Sequence, residues 1–191
     1  MRPFLIALPF VLLSNLTLAA EHSHDHDHDH HDEHGSLGAH EHGVAELDAA
    51  LDGSTFELEL RTPAMNLVGF EHAPSSDADR RKLADARAHL ERPDALFGLP
   101  AGAGCTLTDT DLESPLFEQD TAHDHDAEHG DHSDIHAAYR YNCTAPDALQ
   151  ALDLSGLFKT FPGTEKIQAQ LIGPNGQRGV QLNKGNARAS F

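Results

Sequence analysis

Two stretches of this chain consist almost entirely of imidazole and carboxylate side chains, and they limit where a folded core can form. Residues 21–34 read EHSHDHDHDHHDEH, and a shorter version, HDHDAEHGDH, occupies residues 123–132. A segment without apolar side chains cannot bury enough surface to offset the entropy lost on folding. We therefore predict that residues 21–39 form a disordered tail, that residues 120–134 form a disordered loop, and that the remaining chain supplies the core.

The histidines of these tracts indicate metal binding. Twelve of the 16 histidines lie in or beside the two tracts. Neutral imidazole is the commonest protein ligand for borderline divalent metals, and carboxylates can complete the shell. A solvated acidic linker is the alternative, but it would not need so many histidines. The candidate tract ligands are His22, His24, His26, His28, His30, His31, His34, His123, His125, His129 and His132.

The first 20 residues have the features of a secretory signal peptide. Arg2 provides a positive charge, residues 4–13 are mostly apolar, and Ala19 and Ala20 are small residues at the expected cleavage position. The apolar run is too short to span a bilayer, and no other segment could cross a membrane. In an exported chain, the two cysteines, Cys105 and Cys143, are by default a disulfide. A zinc–thiolate site is the alternative, although no CxxC spacing supports it.

The net charge argues against one class of partner, and the length limits the number of domains. The formal net charge is −18, which argues against a nucleic-acid partner, because phosphate binding requires clustered lysine and arginine. The same charge suits attraction of cations. After removal of the signal peptide, the chain is long enough for one domain of ordinary size.

Patterns of apolar residues predict an α+β fold. Residues 44–51 and 56–61 alternate apolar and polar side chains around Asp52-Gly53, which predicts a hairpin with a type I′ turn. A helix should begin near Ser75 or Ser76 and end before Pro93. Further expected elements are strands over 105–112 and 135–143, a short helix over 146–154, and a second hairpin over 166–172 and 179–183. Together these predict a single domain, residues 40–191, of antiparallel sheet with two helices.

An ordered metal site requires ligands on the folded domain. His40 and His42 precede the first strand, and an HxH pair on an extended chain places both imidazoles on one side. Glu71 and His72 end an apolar run and could converge on that pair, and His136 points away from the predicted core. Three histidines, or two histidines and a carboxylate, would suit zinc. The alternative is that these are surface histidines next to a histidine-rich tract.

Catalysis has little support in the sequence. No GxSxG, HExxH or phosphate-loop motif and no Cys/His nucleophile arrangement occurs. A catalytic zinc held by His40, His42 and His72 is the one enzymatic alternative. We therefore expect a protein that is not an enzyme.

Several segments resemble one family of exported bacterial proteins. The matching runs are residues 40–47 (HEHGVAEL), 66–74 (NLVGFEHAP), 104–105 (GC), 138–143 (AYRYNC) and 157–163 (LFKTFPG). They resemble the histidine-rich ZrgA family, in order and over essentially the whole mature chain. The resemblance implies a periplasmic zinc-binding protein that helps a high-affinity zinc ABC importer to acquire metal. It transfers the histidine tracts as a feature only, and it does not fix the residues of an ordered site.

The sequence therefore favours a periplasmic zinc-binding accessory protein whose tracts capture zinc and whose domain holds it or passes it on. Its expected partners are zinc ions and the solute-binding or membrane component of an importer. One alternative is the solute-binding subunit itself, for which two lobes would need a longer chain. Another is a nickel or copper buffer. Cu(I) is disfavoured because the mature chain has one methionine, Met65, and no free thiol is expected. The third is a zinc hydrolase.

Overall fold

The computed structural model of the protein describes residues 41–117 and 133–191. Within those residues the strands are β1 (Val44–Asp52), β2 (Thr55–Pro63), β3 (Cys105–Glu113), β4 (Asp134–Cys143), β5 (Ala151–Asp153), β6 (Lys166–Gly173), β7 (Gly176–Asn183) and β8 (Arg188–Ser190). The helices are α1 (Ala64–Val68), α2 (Asp77–Leu90) and α3 (Ser155–Thr160), with short 3₁₀ turns at Pro93–Ala95, Ala101–Ala103 and Pro146–Ala148. The predicted signal peptide and tail, and residues 120–132 of the predicted histidine-rich loop, lie outside the described residues. The predicted end of that loop at residue 134 is wrong, because Asp134 is already the first residue of β4.

Most of the described strands form one sheet in the order β3-β4-β2-β1-β6-β7, and β5 pairs separately with β8. All neighbouring pairs in the large sheet are antiparallel except β1 and β6, which are parallel. The predicted α+β class built mainly on antiparallel sheet is confirmed. The parallel pair brings the start of β6 next to the start of β1, with Val44 opposite Lys166.

The core lies on one face of the large sheet, as the alternation predicts. Leu47, Phe56, Leu58 and Leu60 all point inward and are at most 1% exposed. Helix α2 covers part of this face with its buried residues Leu83, Ala86 and Leu90. The buried Tyr139 hydroxyl of β4 donates a hydrogen bond to the Leu90 carbonyl oxygen at 3.0 Å, which fixes α2 against β4.

The predicted start of α2 is also confirmed. Ser76 is the N-cap, its hydroxyl accepts a hydrogen bond from Asp79 N at 3.1 Å, and the Asp79 carboxylate accepts one from Ser76 N at 3.1 Å. This reciprocal capping box satisfies two backbone N–H groups that the first helical turn would otherwise leave without partners. The hydrogen bond from Ser76 lowers the pKa of Asp79.

Two further local predictions are wrong. Residues 146–154 do not form a helix: a 3₁₀ turn at Pro146–Ala148 leads into β5, and the helix begins only at Ser155. Pairing of β5 with β8 near the end of the chain overrides the local pattern. The first hairpin turns at Gly53-Ser54, because Asp52 already pairs with Thr55. Only Gly53 has positive φ there, so a type I′ turn, which needs two such residues, does not form.

The predicted disulfide between Cys105 and Cys143 is present. The two cysteines face each other across β3 and β4, at the base of the connection that contains the second tract. The bond leaves no thiolate for metal. We expect thiol labelling of the denatured, unreduced protein to modify neither cysteine, and labelling after reduction to modify both. Two labelled cysteines before reduction would refute the bond and reopen the thiolate alternative.

Candidate metal site

His42 lies in a tight turn immediately before β1. Val44 N donates a hydrogen bond to Glu41 O at 3.0 Å, which closes a β-turn over residues 41–44. Gly43, the third residue of the turn, has φ of +84°. Residues other than glycine rarely adopt this conformation. Positive φ at this position is typical of a type II turn. The turn therefore places His42 at an exposed corner.

Two other segments of the chain hold this turn in place. The buried Asn66 side chain, on α1, accepts a hydrogen bond from Gly43 N at 2.6 Å and donates to Val44 O at 2.8 Å. On the other side, the backbone N–H groups of Glu165 and Lys166 both donate to Gly43 O, at 2.8 and 2.9 Å. The backbone on either side of His42 is therefore anchored, which is the condition for a preorganised ligand.

Glu71 reaches the same place from the end of α1. Gly69, with φ of +81°, ends the helix in the left-handed conformation, and Gly69 N donates to Met65 O. The buried Phe70 then anchors the chain, and Glu71 follows with 9% exposure. His42 Nε2 lies 3.1 Å from Glu71 Oε1. Since a buried carboxylate needs a partner, this pair is a polar site built by two anchored segments, with His42 half exposed to solvent.

The other predicted ligands are placed differently. The exposed His72 ring stacks on Phe70 with centroids 5.1 Å apart, and its Nδ1 lies 2.8 Å from Ala73 O, which leaves Nε2 as the nitrogen suited to metal. His136 is exposed on the outer face of β4, opposite Arg61 of β2. It is thus two strands from β1, roughly 10 Å at the usual strand spacing. His40 and the eleven tract histidines lie outside the described residues.

The described residues suit part of a zinc site. They contain no cluster of three or more histidine, cysteine, aspartate or glutamate side chains that could hold a metal. His42 and Glu71 offer one imidazole and one carboxylate, both ligand types that zinc uses. Glu71 can act either as a ligand or as the partner that orients the His42 ring, a common arrangement around zinc. A complete site would need at least one further donor.

Sequence reasoning did not identify the role of Asn66. Asn66 is the third residue of α1 and the first residue of the NLVGFEHAP run. Its signal in the sequence is a lone amide between Met65 and Leu67. At 2% exposure, such an amide must find hydrogen-bond partners within the protein. Asn66 finds them in Gly43, Val44 and Thr62, so one short helix both holds the His42 turn and leads into Glu71.

A second polar region, the outer face of the large sheet, is rich in carboxylates. Arg61 contacts Asp48 at 2.5 Å and Glu59 at 2.6 Å, and Arg140 contacts Glu57 at 2.8 Å. The bond to Asp48 raises the pKa of Arg61. Ion pairs therefore occupy part of this face, and its described residues include no metal-binding cluster.

Comparison with known proteins places the chain in a family. In residues 41–117 and 133–191, no helix is long and apolar enough to cross a membrane. A search of curated proteins returned no match. A family model described as "ZrgA family zinc uptake protein" matches residues 39–191, a range that includes the His42 turn, Glu71 and both cysteines. The chain therefore belongs to the ZrgA family of zinc uptake proteins.

Proposed function

We propose that this protein is a periplasmic zinc-binding accessory protein that supplies zinc to a high-affinity ABC importer. The observation that carries the proposal is the His42–Glu71 pair, at 3.1 Å, on a turn that Asn66 and the start of β6 hold in place. Membership of a zinc uptake family supports zinc as the metal. The signal-peptide features of residues 1–20 support export.

In this proposal the two parts of the chain have different tasks. The histidine tracts bind several zinc ions weakly and raise the local zinc concentration, because each bound ion must order a chain segment and loses affinity in doing so. The folded domain binds one zinc tightly at the His42–Glu71 pair, with His40 and His72 as candidate additional ligands. The protein acts by binding metal and not by catalysis, since its sequence contains no recognisable catalytic motif.

The proposal is tested in cells that produce the protein. Deleting its gene should reduce growth and total cell zinc when a chelator limits zinc, and either added zinc or the full chain should restore both. The variant His42→Ala, exported to the same level, should restore them less well. In a strain that already lacks the importer, the deletion should add no further defect. An equal additional defect in that strain would contradict a role that depends on the importer.

A further inference from the structure

The two edges of the large sheet differ in how strongly they resist the addition of another strand. Strand β3 forms one edge and β7 forms the other. Proteins usually protect an edge strand with charged side chains or a β-bulge, because its outer backbone groups can pair with another chain. Strand β3 has both: its register with β4 shifts between Leu107 and Asp109. It also exposes three carboxylates, those of Asp109, Asp111 and Glu113, so two copies of β3 side by side would repel each other.

Strand β7 has neither protection. Its register with β6 is continuous from the Gly173–Gly176 pair to the Lys166–Asn183 pair. The strand contains no proline and one charged residue, Arg178. Residues 166–191 contain no aspartate or glutamate, although the whole chain has 31 of them. The β7 edge is therefore the edge of the sheet at which two copies of this acidic chain repel each other less.

The backbone groups on the outer edge of β7 can be located from its last residue. Residues of an antiparallel strand alternate between those that bond the neighbouring strand and those that face away from it. Asn183 faces away from β6, because it exchanges backbone hydrogen bonds with Asn186 at 3.1 and 3.0 Å. By the same alternation, the N–H and C=O groups of Gln177, Gly179 and Gln181 face away from β6. These three residues are exposed, and within the described part of the chain their backbone groups make no hydrogen bond outside the sheet.

We propose that β7 pairs with β7 of a second copy of this chain, in antiparallel orientation about a two-fold axis at Gly179. Gln177 of each copy then lies opposite Gln181 of the other, and Gly179 lies opposite its counterpart. Each of these facing pairs exchanges two backbone hydrogen bonds. Asn186 already bonds Asn183, which limits the ladder to residues 177–181, the range that is symmetrical about Gly179.

The asymmetry of the two edges explains why such pairing stops at two copies. Two-fold pairing uses the β7 edge of both copies, so the joined sheet ends in the protected strand β3 on both sides. Closed two-fold dimers are the commonest protein oligomers. In this register Arg178 lies opposite Val180 of the partner subunit, so the two arginines do not face each other. The interface does not involve His42 or Glu71, and it therefore goes beyond the proposed function and can fail separately.

The test is sedimentation velocity of the full chain over a range of protein concentrations, with a chelator present so that no metal links two molecules. The ladder is short, and small interfaces are weak, so the dimer fraction should rise with concentration. The double variant Gln177→Glu/Gln181→Glu places like charges opposite each other at two positions and should raise the dissociation constant about tenfold. The matched control, Gln168→Glu/Gln170→Glu, adds the same charge to the same sheet face one strand away from the edge. Its effect should be much smaller.

Two further variants test the geometry. Gln177→Lys/Gln181→Lys should also weaken the dimer, and mixing it with the glutamate variant should restore a dimer, because opposite charges then face each other. Gln181→Pro removes an N–H that faces away from β6, a position at which an edge strand tolerates proline. This variant should lose the dimer and keep the far-UV circular dichroism of the parent.

Several results would overturn the inference. A monomer at every concentration would overturn it and leave this edge for a strand of a different protein. A dimer that both glutamate variants weaken equally, or that neither weakens, would overturn the assignment to β7, as would an unchanged dimer in Gln181→Pro. A mixture of the lysine and glutamate variants that stays monomeric would overturn the two-fold register.

Discussion

Deleting residues 22–34 and 123–132 together is expected to remove most of the zinc that the protein binds and to leave its fold intact. The deletion removes eleven of the 16 histidines. Within the described residues, the buried apolar core is built from residues at positions 45–116 and 135–189. Zinc per chain, measured by elemental analysis after dialysis, should fall from several ions to about one, the number that a single ordered site would hold.

A matched variant separates the histidines from the carboxylates. Replacing only the tract histidines by glutamine keeps the length and the acidic residues, and it should lose as much zinc as the deletion. Far-UV circular dichroism should be the same for both variants, apart from the missing residues. An unfolded deletion variant would show that the tracts are structural. A zinc content that stays high in the glutamine variant would show that carboxylates, and not imidazoles, bind the metal.

The regular part of the fold could be predicted because its signals are local. Alternation of apolar side chains locates β1, β2 and the β6–β7 hairpin, and Ser76 with Pro93 brackets α2. Pairings between distant segments could not be predicted. Strand β5 depends on β8, and neither has a local pattern strong enough to exclude a helix. Helix α1 has only five residues, too few to show helical periodicity.

The same distinction applies to the candidate site. His42 and Glu71 stand out in the sequence because an HxH pair and a carboxylate next to a histidine are recognisable ligand patterns. Their contact is consistent with the predicted convergence of these two segments. The supports of the site do not stand out: Glu165 is next to Gly43 only because β6 runs parallel to β1. The orientation of His72 depends on stacking with Phe70, which the sequence alone does not specify.

Removing the His42 imidazole from the tract-deleted protein is expected to abolish its remaining tight zinc binding. Within the described residues, His42 is the histidine that contacts the buried Glu71 carboxylate. Loss of a direct ligand should weaken binding by more than about 100-fold, since even partners outside the ligand shell contribute about 10–100-fold. His42 is half exposed, so the change to alanine should not disturb the core.

His89 provides the matched control. It is an exposed histidine on α2 whose ring lies against Phe161 at 6.1 Å between centroids, and it has no predicted role in metal binding. His89→Ala should therefore bind zinc like the parent protein. His72→Ala, measured separately, tests whether His72 turns towards the site when zinc is present.

The most direct measurement is a competition titration of zinc against a high-affinity chelator, with the tract-deleted parent, His42→Ala and His89→Ala compared at the same free zinc concentration. We predict one tightly bound zinc in the parent and in His89→Ala, and none in His42→Ala. One tight zinc retained by His42→Ala with unchanged affinity would contradict a site at the His42–Glu71 pair.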